Sequence, residues 1–178
     1  VTSQRGVIDA EGHYMGLGRV PMPLHGAYEI LSGKAAGRLL LTECGNFIGE
    51  PSIVLYRHES DAAPLAEVLI ARGHHVLVDV ASWLHFLAKG DCLIYARPLG
   101  LYRQHAKQEG QQAYAAIRAL IEWKWLLDEY RSTFLTEADY RASFDVIKSA
   151  CLRFEPYSHM VDADLRRAYE ELYQSMMS

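Results

Sequence analysis

Asp79 stands where the apolar run Val76-Leu77-Val78 passes into the helix-like stretch from Val80 to Lys89. A carboxylate at such a junction either caps the helix or projects into a pocket as a general base, where partial burial keeps its proton affinity useful. Trp83 lies one helical turn further on, so both side chains can face one cleft. A tryptophan stacks well on the apolar face of a sugar ring, although a core role is the commoner use. The loop from Cys44 to Ser52 combines Gly45, Gly49 and Pro51 with the polar Asn46 and Glu50 ahead of the apolar run Ile53-Val54-Leu55-Tyr56. Glycine lets backbone approach a ligand because it has no Cβ, and the same composition also describes a plain turn feeding a strand. Arg103 and His105 alternate along an extended segment and so point to one side. Both suit a diphosphate, Arg103 through its fork of donors and His105 as a charged donor or a metal ligand, though singly each residue type is usually surface.

The elements that must hold these residues are mixed. Residues 1–9 read as a strand already under way, closed by the turn Asp9-Ala10-Glu11-Gly12, and this opening suggests a piece of a longer chain. Gly16, Gly18, Pro21, Pro23 and Gly26 make a loop, and helical spacing follows from Ala27 to Leu41. Ser52–Tyr56 and Cys92–Ala96 are short strand-like runs, and Pro98 with Gly100 should bend the chain before Leu101. Between them Asp61 can cap a helix reaching about Arg72, with Pro64 in its first turn and Gly73 past its end. Helical periodicity then covers about 111–130, Glu137 to Phe154 and Asp162 to Met177, with Thr136 (Asp139 three on) and Asp162 as caps. The expected fold is therefore α/β: a mixed sheet with flanking helices over residues 1–110, followed by a C-terminal helical segment over 111–178.

Composition narrows the classes. The chain has 178 residues, half of them hydrophobic, with a net charge of −4. That balance lacks the clustered basic excess of a nucleic-acid binder. No stretch approaches the ~18 consecutive apolar residues of a membrane span. Cys44, Cys92 and Cys151 fit neither a zinc pattern nor a disulfide framework and read as free buried thiols of a reducing cytosol.

Taken together, Ile48 to Ser52, Asp79 to Asp91 and Pro98 to His105 resemble, in order and spacing, the C-terminal half of bacterial family 2 glycosyltransferases of the GT-A fold. Ser3 to Gly12 looks like the strand and turn that follow the family's central metal motif. The resemblance implies inverting transfer of a sugar from a nucleotide-diphospho-sugar to a hydroxyl of a glycan, lipid or protein. It implies Asp79 as the base, Asn46, Gly49, Glu50, Trp83 and Arg103 at the substrates, and His105 at a divalent Mn or Mg ion. A cytoplasmic location, peripheral at the inner membrane face, would accompany such a role, and the C-terminal helices offer a surface for homo-oligomers. The family's donor-binding strands and its Asp-x-Asp metal motif lie outside these residues. Asp162-Ala163-Asp164 sits at a helix start and reads as capping. The chain alone is thus expected to be inactive. Two rival classes remain open: a helical interaction module, marked by an exposed stripe of Tyr114, Ile117, Ile121 and Trp125, and a metal-dependent hydrolase using some of the eight histidines.

Overall fold

A computed structural model of the chain describes residues 1–57, 65–106 and 113–177. Four strands, β1 (Thr2–Ile8), β2 (Tyr14–Leu17), β3 (Tyr28–Leu31) and β4 (Cys92–Arg103), form one mixed sheet in the order β2-β1-β4-β3. β1 runs parallel to β4, and the other two pairings are antiparallel. The α/β expectation holds at this level: a four-stranded mixed sheet, flanking helices and a helical C-terminal segment.

Three local expectations fail, each for a physical reason. The stretch 27–41 is not one helix. Tyr28 to Leu31 pairs with β4, and helix α1 (Gly33–Glu43) starts only after Ser32, whose hydroxyl accepts the Ala35 N–H at 3.2 Å. The alternation of four strand residues merges by eye with the helical spacing that follows. Residues 52–56 form no strand of the sheet: Pro51 starts a 3-10 turn over Pro51–Ile53, and only Leu55 pairs, exchanging bonds of 2.8 and 2.6 Å with Val1. Pro98 and Gly100 do not end β4. The strand carries its extra residues as a bulge, Tyr95 standing opposite Ser3 and Gly100 opposite Arg5.

The remaining helices are α2 (Leu65–Ala71), α3 (Val78–Leu87), α4 (Ala113–Phe134), α5 (Glu137–Phe154) and α6 (Ala163–Met177). The expected start of α2 at Asp61 and Pro64 lies outside the described residues. Its end is as expected: Gly73 has φ +96°, and the His74 N–H returns to the Leu69 carbonyl at 3.1 Å. Thr136 and Asp139 form the reciprocal capping box of α5, and Asp162 accepts the Leu165 N–H at 2.9 Å. The helices beyond residue 110 share one core with the rest. Leu40 and Leu41 of α1, Leu84 of α3, Ile94 of β4, Leu126 of α4, Ile147 of α5 and Tyr169 of α6 belong to one buried cluster. Gly37 permits that closeness, because a Cβ there would lie 2.5 Å from the Phe134 ring. Arg38 of α1 also donates through Nε to Asp139 of α5 at 2.9 Å. No described helix is long and apolar enough to cross a membrane.

Candidate functional site

The loop between α1 and the Pro51 turn is shaped by its own amide. Asn46 Oδ1 accepts the Gly49 N–H at 2.9 Å, and Asn46 Nδ2 donates to the Gly49 carbonyl at 3.2 Å. Gly49 has φ +106°, a conformation that side-chain-bearing residues avoid, and a Cβ there would meet Ile53 Cδ1 at 2.6 Å. Helix α3 clamps the loop from the other side. Trp83 Nε1 donates to the same Gly49 carbonyl at 3.0 Å, and Asn46 Nδ2 also reaches Asp79 Oδ2 at 2.7 Å. The structure thus brings Asn46, Gly49, Glu50, Asp79 and Trp83 together. Trp83, expected to offer a face to a sugar ring, is only 3% exposed; its indole fixes the loop.

Asp79 is not the cap of α3. Leu77 occupies that position without a side-chain bond, and Asp79 follows in the first turn, its Oδ1 accepting the adjacent Val80 N–H at 2.7 Å. Burial raises the Asp79 carboxyl above its ordinary 3.8, and the charge of Glu50 raises it further. Hydrogen bonds from Val80 N–H and Asn46 pull the other way. Each carboxylate oxygen takes one hydrogen bond, which leaves lone pairs for a third group.

Glu50 has a partner that its motif does not reveal. Arg5 of β1 donates through Nη1 to both carboxylate oxygens, at 3.0 and 3.1 Å, and through Nη2 to the Asn46 carbonyl at 2.9 Å. Its guanidinium also sits over the Tyr102 ring, 5.4 Å from the centroid. Arg5 and Tyr102 are the site residues that sequence reading misses.

Arg103 and His105 are placed elsewhere. Arg103 ends β4 and folds onto the β1–β2 hairpin, donating to the carbonyls of Asp9 at 3.2 Å and Ala10 at 2.8 Å. His105 follows, exposed. It joins no group of three ligating side chains among the described residues; the one such group is Asp9, Glu11 and His13 on the hairpin turn. There Asp9 is already engaged with the His13 ring at 3.0 Å and the His13 N–H at 2.7 Å, which is the turn's own bonding. One imidazole does not hold a divalent ion, so these residues do not by themselves fit the expected metal.

The interaction-module reading loses its mark, because Ile117 and Ile121 are buried and only Tyr114 and Trp125 of the stripe reach the surface. The three cysteines are free, as expected, and burial pushes the Cys44 thiol up to about 12 and Cys151 to about 11. Comparison with family models, with curated proteins and with solved structures finds no match to this chain.

Proposed function

We propose that the chain forms the acceptor-side part of an inverting glycosyltransferase, with Asp79 as the base. One observation carries the reading: a part-buried carboxylate of raised proton affinity, aimed by Asn46, stands beside a second carboxylate held by Arg5. In the proposed step, Asp79 takes the proton of an acceptor hydroxyl as its oxygen bonds to the anomeric carbon and the bond to the diphosphate breaks. Such base catalysis contributes ~10²–10⁴-fold. Glu50 would accept hydrogen bonds from acceptor hydroxyls, Arg5 holding its carboxylate in place. Arg103, bound to the hairpin carbonyls, is given no part in this step. Within the GT-A resemblance, the donor-binding strands and the Asp-x-Asp metal motif must come from outside these 178 residues, and no step above is routed through a metal.

The test has two arms. Titration calorimetry with UDP- and GDP-sugars, Mn²⁺ present, should show no binding to the 178-residue chain, and micromolar affinity would overturn the division of labour. In a polypeptide that also carries the donor-binding half, nucleotide release should depend on an added saccharide or lipid acceptor. There Asp79→Asn should lower turnover ~10²-fold or more with donor affinity nearly unchanged. Normal turnover in that variant would exclude Asp79 as the base.

A further inference from the structure

Glu122 is the most completely buried acidic side chain among the described residues, and it sits on α4, outside every motif that marks the site. Its carboxylate does more than pair along its own helix. Oε1 accepts the His75 N–H at 2.9 Å, Oε2 accepts the Leu77 N–H at 2.8 Å, and both receive the Val76 N–H, at 3.2 and 3.1 Å. Arg118, one turn back on α4, donates Nε to Oε1 at 2.9 Å and its Nη2 to the Gly73 carbonyl. His74 Nδ1 stays 3.9 Å from Oε2, out of hydrogen-bond reach, and meets no hydrogen-bond partner among the described residues. The acceptor capacity of Glu122 is therefore spent on three successive backbone donors and one guanidinium.

Those three donors run into the start of α3, whose cap position, Leu77, supplies no side-chain acceptor. Successive N–H groups converging on one anion form a nest, and a helix start favours negative charge. An uncapped N-terminus otherwise frays through its first turn, which in α3 is the turn that carries Asp79. We propose that Glu122 is the positioning residue for Asp79: from α4 it clamps residues 75–77 and so fixes the first turn of α3 against the Asn46–Glu50 loop. The consequence for turnover rests on the reading of Asp79 as a base, whereas the anchoring itself does not.

The test reads the position of Asp79 without an activity assay. The chain is labelled at aspartate Cγ with ¹³C, and the Asp79 carboxyl is titrated by NMR alongside amide exchange across residues 75–82. The groups facing Asp79 are Asn46, Glu50 and, through Glu50, Arg5, and they are left intact. In Glu122→Gln and in Glu122→Asp the Asp79 midpoint should fall towards its ordinary 3.8, as the loosened turn hydrates. Exchange over residues 80–82, whose N–H groups are bonded within the first turns of α3, should quicken at least ~10-fold while the centre of α5 stays protected. Glu122→Asp is the decisive variant. It keeps the charge beside Arg118, and so the fold, but is too short by a methylene to span all three N–H groups. If Glu122→Gln does not fold, Glu122→Asp decides alone. A folded Glu122→Asp chain with the native Asp79 midpoint and native exchange at 80–82 overturns the proposal. Because no turnover is measured, a failed anchor and a failed base give different results.

Discussion

Arg5 and Glu50 neutralise one another beside Asp79, and removing either has opposite consequences for the carboxyl between them and α3. Glu50→Gln withdraws a charge that raises Asp79, so the Asp79 midpoint should fall in a ¹³C titration. Arg5→Met leaves Glu50 uncompensated, and the midpoint should rise; a shift in the same direction for both variants would contradict the arrangement. Glu122 titrates in the other sense: burial raises its carboxyl, but hydrogen bonds from the Leu77 N–H, Arg118 and the His75 N–H outweigh that and hold it down from 4.5 to about 2. A carboxyl depressed in the folded state contributes stability that is present above its unfolded value and lost as pH falls towards the folded one. The chain should therefore lose stability between about pH 4.5 and 2, and Glu122→Gln should flatten that part of the urea-midpoint profile. Asn46, Gly49, Glu50 and Asp79 were legible because residue type and order mark them. Arg5 and Glu122 were not, since the groups they clamp, Asn46 and Glu50 for Arg5 and residues 75–77 for Glu122, lie 41 residues or more away and nothing local distinguishes them.

At the scale of elements, caps and glycines carry the tests. Thr136→Ala removes one half of the capping box of α5 and should cost about 1 kcal/mol in a denaturant titration. Gly49→Ala asks for a forbidden backbone angle and a Cβ 2.6 Å from Ile53, so a loss of about 2 kcal/mol or more is expected, together with displacement of the Asn46–Asp79 contact. The helices from Glu137 onward were readable to within a residue or two because their periodicity is long and their caps are explicit. β2 and β3 were hidden, as four residues give too few alternations to stand out from a loop or from an adjoining helix. The bulge in β4 was hidden for another reason: Pro98 and Gly100 are breakers in isolation, but opposite β1 they are the residues a bulge tolerates.

The whole molecule is built around one core, and this is where sequence reading was least informative. A change from α/β patterning to helices near residue 110 suggests a boundary, yet the buried cluster runs through α1, α3, α4, α5 and α6 without interruption. Unfolding followed at Trp83 and at Trp123 or Trp125, in variants keeping one tryptophan region at a time, should give coincident transitions. Separate midpoints would show two independent units. A chain ended before α4 should lack a cooperative transition altogether, because α1 and α3 would lose Phe134, Leu126 and Glu122 at once.

The parallel pairing of β1 with β4 also sets an order of events during synthesis. β1 can close its hairpin with β2 once Leu17 has been made, but its other neighbour follows some ninety residues after β1, Thr2 meeting Ile94 and Ile8 meeting Arg103. One side of β1 must wait unpaired while α1 to α3 are made, and β4 then has to slot between β1 and β3 in a single register. Docking of β4 closes the longest loop in the sheet, so it is expected to be the slow pairing, and stopped-flow refolding should show Tyr95 and Tyr102 ordering after the β1–β2 hairpin.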